Sequence, residues 1–194
     1  MAAAQKGALR TGATLVFWDE AGFSQRPRVG CTWTPRGKTP ILKQPFNWKR
    51  PSAIGVITHR PITGQVRQLF SVGPGNVDSN WVTGRLRSLR QLAAGPVILL
   101  WHGLSARIGG LTRRCLEGPR HWLQAEPLPA YAPELNPVGA MGANLSAREL
   151  ANLCLETLGE LALHVQRGMR RLHWHPDLGY AFLKHSGLFP ELFL

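Results

Sequence analysis

Two uninterrupted apolar runs constrain the fold of this chain more than any other feature. Val97 to Trp101 lies between turn signals, and Ala13 to Trp18 leads directly into the acidic pair Asp19-Glu20. A short apolar run without alternation is typical of a strand that is covered on both faces. The chain is therefore predicted to place these strands between two layers of helices.

The remaining patterns complete the order β-β-β-α-β-α-β-α. Residues 52–58 and 65–71 alternate as strands, a helix capped at Asp78 runs to about Ala94, a helix covers 108–116, and a strand covers 121–127. The capping-box spacing of Ser146 to Glu149 predicts the start of a helix. One apolar stripe faces the core further on: Leu158, Leu161, Val165, Met169 and Leu172. These elements predict an α/β fold with a mixed five-stranded sheet and helices on both faces.

The length predicts one domain. A chain of 194 residues with 44% hydrophobic composition fills a single core, and it contains no internal repeat or long linker. We expect an N-terminal extension at 1–12, the domain at 13–186 and a C-terminal tail at 187–194.

Charge is distributed unevenly along the chain. The net charge is +12, and residues 1–100 hold 14 basic and 3 acidic residues, a net of +11. No acidic residue lies between Glu20 and Asp78, where aromatic residues such as Trp33 alternate with basic ones. Cations among aromatic side chains suit the DNA backbone, and a solvated basic face is the alternative. The predicted DNA contacts are Arg26, Arg28, Arg36, Lys38, Lys43, Lys49 and Arg50, with Arg85, Arg87 and Arg90 extending the same patch.

Cysteine usage and hydropathy indicate the compartment. Cys31, Cys115 and Cys154 form no CxxC pair, which argues against a disulfide framework and a structural zinc site. The sequence shows neither a signal peptide nor an apolar run of membrane-spanning length. We expect a cytoplasmic protein that does not bind a membrane.

Four separated segments resemble one family. They are Phe17 to Phe23 (FWDEAGF), Thr32 to Pro40 (TWTPRGKTP), the strand ending at Trp101, and Leu128 to Val138 (LPAYAPELNPV). In order and spacing they are similar to the DDE domain of mariner-like bacterial insertion-sequence transposases, from about residue 13 to 186. The turn residues Pro133, Glu134, Asn136 and Pro137 are the most distinctive part of the resemblance.

The resemblance implies a ribonuclease H-like fold in which three carboxylates bind two magnesium ions (Mg2+). The implied activity is DNA strand cleavage and transfer, because two metals can activate a nucleophile and stabilise the leaving oxygen. The implied partners are the insertion-sequence ends and target DNA, together with a homo-oligomer, at the nucleoid. End recognition in such proteins uses a helix-turn-helix region, so either a separate polypeptide supplies it or the gene is a fragment.

The family's site residues match this sequence at one of three positions. The first aspartate falls on Asp19, the expected metal ligand. His102 stands at the second aspartate position and Gly139 at the glutamate position, and Gly142 replaces a usual tryptophan. Imidazole favours zinc, copper or nickel over magnesium, and glycine offers no ligand. Glu20 follows Asp19 directly and should point to the opposite face of the strand.

Three hypotheses follow from these substitutions. The first is a transposase catalytic domain whose chemistry is lost or reduced. The second is a non-catalytic DNA-binding or partner-binding module that keeps the fold. The third is a relic with a weakened fold, since each helical glycine costs about 1 kcal/mol relative to alanine.

Overall fold

The computed structural model describes residues 2–26, 28–43, 51–73, 77–93, 95–101, 110–117, 121–129 and 132–187. Its strands are β1 (Thr14–Gly22), β2 (Ser52–His59), β3 (Val66–Gly73), β4 (Val97–Trp101) and β5 (Leu123–Pro127). Its helices are α1 (Ala2–Thr11), α2 (Ser79–Leu92), α3 (Gly110–Glu117), α4 (Pro137–Glu149), α5 (Leu158–Trp174) and α6 (Pro176–His185). No helix among those residues is long and apolar enough to cross a membrane.

The five strands form one mixed sheet in the order β3-β2-β1-β4-β5. β1, β2 and β3 are antiparallel neighbours, whereas β1, β4 and β5 run parallel. The predicted five-stranded mixed sheet is confirmed. β1 continues four residues beyond the predicted end because β2 still pairs with it there, from Asp19↔Gly55 to Gly22↔Ser52.

Helices cover both faces of the sheet, as predicted. Leu15 and Phe17 of β1 face a core formed with α1, α4, α5 and α6, while Val16 and Trp18 face a second core formed with α2 and α3. All four side chains are fully buried or nearly so. Burial on both faces is the physical reason why this strand is apolar at every position from Leu15 to Trp18.

Residues 1–12 were expected to be an extension, but residues 2–11 form helix α1. Ala4 and Ala8 are buried in the core, and Gly7 lies close to Ile98 of β4. The buried face of α1 consists of small residues, so the sequence lacks the large apolar stripe that usually identifies a packed helix.

The capping-box prediction at Ser146 to Glu149 is wrong. Those residues lie in the last turns of α4, which begins at Pro137. The capping box of the next helix, α5, is instead formed by Thr157 and Glu160, where Thr157 Oγ1 accepts from the Glu160 N–H at 3.2 Å. The core-facing stripe on α5 is confirmed, with Leu161, Val165 and Leu172 fully buried.

Close packing and one ion pair fix α4 against α5. A Cβ at Gly168 would lie 2.5 Å from Leu145 Cδ2 and from Glu149 Cγ, so a larger residue would force these side chains to move. Beside it, Arg171 Nε donates to Glu149 Oε1 and Arg171 Nη2 donates to Asn144 Oδ1, each at 2.8 Å. The position of α4 is therefore determined by its neighbours as well as by the sheet.

His59 predicts an acid sensitivity of the fold. The side chain is fully buried at the end of β2, and desolvation lowers its pKa from 6.5 to about 4. Because the unfolded chain binds the proton at higher pH, the free energy of unfolding should fall as the pH drops from about 6.5 to about 4. The full difference corresponds to at most about 3 kcal/mol.

Urea denaturation at pH 7, 5.5 and 4.5 measures this effect. We expect His59→Gln to flatten the pH dependence relative to the native chain, and His185→Gln, at an exposed helix end, to leave it unchanged. Equal pH dependence in the native chain and His59→Gln would refute the prediction.

Candidate active site

Asp19 lies where β1 extends past its parallel neighbour. The last β1–β4 pair is Trp18↔Trp101, so Asp19 is the first residue of β1 beyond that pairing. Strand alternation places Asp19 on the same face as Leu15 and Phe17, which is the face covered by α4. The Glu20 N–H donates to Asp19 Oδ1 at 2.9 Å, and the side chain is partly exposed.

Glu20 lies on the opposite face of β1, in line with Val16 and Trp18, as the sequence predicts. Partial desolvation, and then the negative charge of Asp19, raise the pKa of the Glu20 carboxyl. Its position on the α2 face separates Glu20 from the α4 face that carries Asp19.

Asn136 connects the beginning of α4 to β1. This residue is only 3% exposed, and its Oδ1 accepts from the Val138 N–H at 3.2 Å as the N-cap of α4. Its Nδ2 donates to the carbonyl of Trp18 at 3.3 Å. One side chain thus links the first turn of α4 to the residue that precedes Asp19.

The proline-rich turn prepares Asn136 for this contact. Pro133–Leu135 forms a single 3₁₀ turn in which Pro133 O accepts from the Asn136 N–H at 3.1 Å, and Pro137 then begins α4 at a position that needs no N–H donor. Glu134 is exposed on the outside of the turn. The distinctive motif therefore fixes the position of Asn136 and the start of α4.

Gly55 allows α4 to approach the sheet beside Asp19. It is the register partner of Asp19 on β2, and a Cβ there would lie 2.6 Å from Val138 Cγ1 and 3.1 Å from Met141 Cε. Sequence reasoning did not select Gly55. A glycine inside an otherwise apolar strand was the available signal, since it often marks a close approach of another element.

Gly139 occupies the first turn of α4 and is exposed. Its N–H donates to Asn136 O at 3.0 Å, and a Cβ built there meets no heavy atom within 4 Å. The same open space surrounds Gly142, one turn along the helix. A β-carbon at either position would therefore meet no neighbouring side chain.

The described residues bring one of the three expected carboxylates to this end of the α4 face. Asp19 supplies one carboxylate to this end of the α4 face, Glu20 is on the other face, and Gly139 supplies no donor. Within the parts of the chain that the structure describes, no three His, Cys, Asp or Glu residues cluster to hold a metal. His102 lies outside the described residues.

The basic segment leaves β1 and is fastened to the fold near its start. Asn152, with a left-handed φ of 59°, accepts from the Gly30 N–H at 2.9 Å and donates to Gly30 O at 3.1 Å. Arg28 pairs with Ala151 as an isolated bridge, and its Nη1 donates to Ala143 O at 3.5 Å. The segment is therefore directed outward from the α4–α5 connection.

Residues 31–43 are all exposed. A turn from Pro35 to Lys38, closed by a 3.0 Å hydrogen bond and with Gly37 at φ 81°, presents Arg36. Trp33 is 101% exposed. Arg26 and Lys43 are exposed as well, whereas the predicted contacts Lys49 and Arg50 lie outside the described residues.

Arg87 and Arg90 do not extend this segment. They lie on α2, which covers the other face of the sheet from α4 and α5. The structure does not support the expectation that Arg85, Arg87 and Arg90 extend the segment, because the sheet lies between α2 and the α4–α5 connection to which the segment is fastened.

Comparison with known proteins identifies the family. Residues 14–161 match the sequence model of the DDE superfamily endonucleases, and the chain belongs to this family. A comparison with individual curated proteins found no match.

Solved structures of the Mos1 mariner transposase share the fold. The paired-end complex with manganese aligns at 15% identity with a TM-score of 0.53, covering 97% of this chain and 60% of that one. The complex with the left transposon end aligns at 15% identity with a TM-score of 0.51, covering 96% of this chain and 60% of that one. The isolated catalytic domain aligns at 15% identity with a TM-score of 0.50, covering 96% of this chain and 89% of that one.

These likenesses establish the fold, which is ribonuclease H-like. The chain spans about 60% of the transposase chains in the paired-end complexes and most of the isolated catalytic domain. Membership of the DDE superfamily and the predicted fold class are both confirmed.

The Asn136 contact can be tested by stability. Asn136→Ala should lower the free energy of unfolding by about 2 kcal/mol, about half from the lost helix cap and half from the lost bond to Trp18. Asn136→Ser can still cap the helix but is too short to reach Trp18, so we expect a loss of about 1 kcal/mol. Urea denaturation measures both.

Asn80→Ala, at an exposed position near the start of α2, is the matched control and should change stability little. If Asn136→Ala costs no more than Asn80→Ala, Asn136 does not anchor α4.

Proposed function

We propose that this chain is a transposase-type DDE domain of the mariner-like insertion-sequence group in which phosphodiester cleavage is lost or severely reduced. The observation that carries the proposal is the contrast at the start of α4. The Asn136 anchor, the close approach at Gly55 and the Asp19 carboxylate are all in place, yet Gly139 offers no metal ligand. His102, at the family's second aspartate position, is the other proposed loss.

The family's reaction requires hard oxygen ligands that hold magnesium on both sides of a phosphate. The Mos1 structures include complexes with manganese, with magnesium and with a transposon end. These names support DNA as a partner of this chain and a divalent metal as the family's cofactor. With one carboxylate at the site, we derive no catalytic step for this chain.

Restoring the carboxylates tests the proposal. We expect no magnesium- or manganese-dependent nicking of supercoiled DNA by the native chain, and detectable nicking by His102→Asp combined with Gly139→Glu. The glutamate should be tolerated because space is open around Gly139 and an acidic residue is favourable in the first turn of a helix.

The matched control is His102→Asp combined with Gly142→Glu, which adds the same charges but displaces one carboxylate by a turn, and it should not cut. Adding Asp19→Ala to the restored chain should abolish nicking. Nicking by the native chain that disappears in Asp19→Ala would overturn the proposed loss of catalysis, and a folded restored chain that never cuts would count against the site assignment.

A non-catalytic DNA-binding module is the second candidate function. The outward basic segment favours it, since Arg36, Lys38 and Lys43 are exposed beside an exposed tryptophan and far from compensating carboxylates in the sequence.

Salt dependence tests this candidate. Neutralising two phosphate contacts with Arg36→Gln and Lys38→Gln should flatten the slope of log affinity against log salt by about 1 to 2. Arg167→Gln with Arg170→Gln, which removes two exposed charges from α5, is the matched control and should change the slope less. Equal slopes for the two double variants would remove the segment from the interface.

A further inference from the structure

A broad cleft lies at the end of α2, away from the candidate active site. Its volume is ≈ 1100 Å³. Its other walls are formed before β4 by Ala93, Gly95 and Pro96, and before β5 by His121 and Trp122. The side chains that matter for its chemistry are Arg87, Arg90, Gln91, His121 and Trp122.

The cleft differs from the candidate site in both face and end of the sheet. Asp19 follows the paired carboxyl ends of β1 and β4, whereas Pro96 and Trp122 precede the amino ends of β4 and β5. Two backbone hydrogen bonds hold Pro96 and Trp122 against the sheet. Pro96 O accepts from the Thr14 N–H at 2.8 Å, and Trp122 O accepts from the Val97 N–H at 2.7 Å. A ligand at Asp19 would not cover the cleft.

The five side chains named above can all donate hydrogen bonds, and Arg87 and Arg90 carry positive charge. The Arg90 guanidinium lies 5.7 Å from the centre of the Trp122 ring, a cation–π contact that restricts its orientation. Arg87, Gln91 and His121 are exposed around it. None of the side chains that the structure describes along the cleft is a carboxylate, and Asp78 caps the opposite end of α2.

Such a surface is complementary to phosphate. Arginine binds phosphate oxygens through a planar array of donors, and a neighbouring aromatic ring holds that array in place. The breadth of the cleft suits a chain of phosphates better than an enclosed small molecule. The large positive charge of the first hundred residues favours a polyanion over an acidic peptide segment of similar size.

We infer that this cleft is a second binding surface for the phosphate backbone of duplex DNA, separate from the basic segment. The inference goes beyond the proposed function because it needs neither a metal nor the residues around Asp19. Since the sheet lies between the two surfaces, one chain can hold two short duplexes at once.

Binding stoichiometry tests the inference. A duplex of about 12 base pairs, roughly 40 Å long, is titrated into the full chain at low salt and the complexes are counted by sedimentation. We expect two duplexes per native chain and one per Arg87→Gln/Arg90→Gln chain. Arg87→Lys/Arg90→Lys keeps the charges and should restore the second duplex, although with weaker binding.

Two further variants separate this inference from the proposed function. Arg167→Gln/Arg170→Gln, the matched loss of two exposed charges, should still bind two duplexes, and Arg36→Gln/Lys38→Gln should bind one. Two duplexes on the Arg87→Gln/Arg90→Gln chain, or a native chain whose single duplex is unaffected by Arg87→Gln/Arg90→Gln, would overturn the second surface. A loss seen only with Arg87 and Arg90 would support the cleft and contradict the role of the basic segment.

Discussion

The hydrogen bond from Asn136 to the carbonyl of Trp18 is the contact on which the candidate site depends. It joins the first turn of a helix to the strand residue before Asp19, and the same side chain also caps that helix. Because Asn136 is buried, both of its polar ends must be satisfied together, and the observed placement of α4 relative to β1 achieves this. The scaffold therefore positions residue 139 whatever side chain it carries.

Other contacts maintain that placement from different directions. Gly55 allows Val138 to pack closely against β2, and Gly168 allows α5 to pack closely against α4. These are packing requirements of the core, so they act on the fold even when no reaction takes place. The packing of α4 therefore does not depend on the side chain at residue 139, because the contacts that hold the helix come from neighbouring positions.

The sequence predicted the parts of the molecule that carry strong local signals. The apolar run at Val97 to Trp101 matches β4, and Asp78 caps α2 through a 2.7 Å bond from the Trp81 N–H. Helix α1 was missed because alanines rather than large residues form its buried face. Gly55 and the double role of Asn136 were missed because their importance arises from distant residues, Val138 and Trp18, that only tertiary packing brings together.

The topology places the basic residues of the first hundred positions on different elements of the fold. The positive charge of the first hundred residues is one feature in the sequence, but the sheet divides its members between two faces. Arg36 and Lys38 belong to a segment fastened by Asn152 beside α4, whereas Arg87 and Arg90 end the helix on the other side. Repulsion between exposed cations falls with their separation, because salt screens charges over about 10 Å. Placing the two basic groups on different elements is therefore compatible with a stable fold.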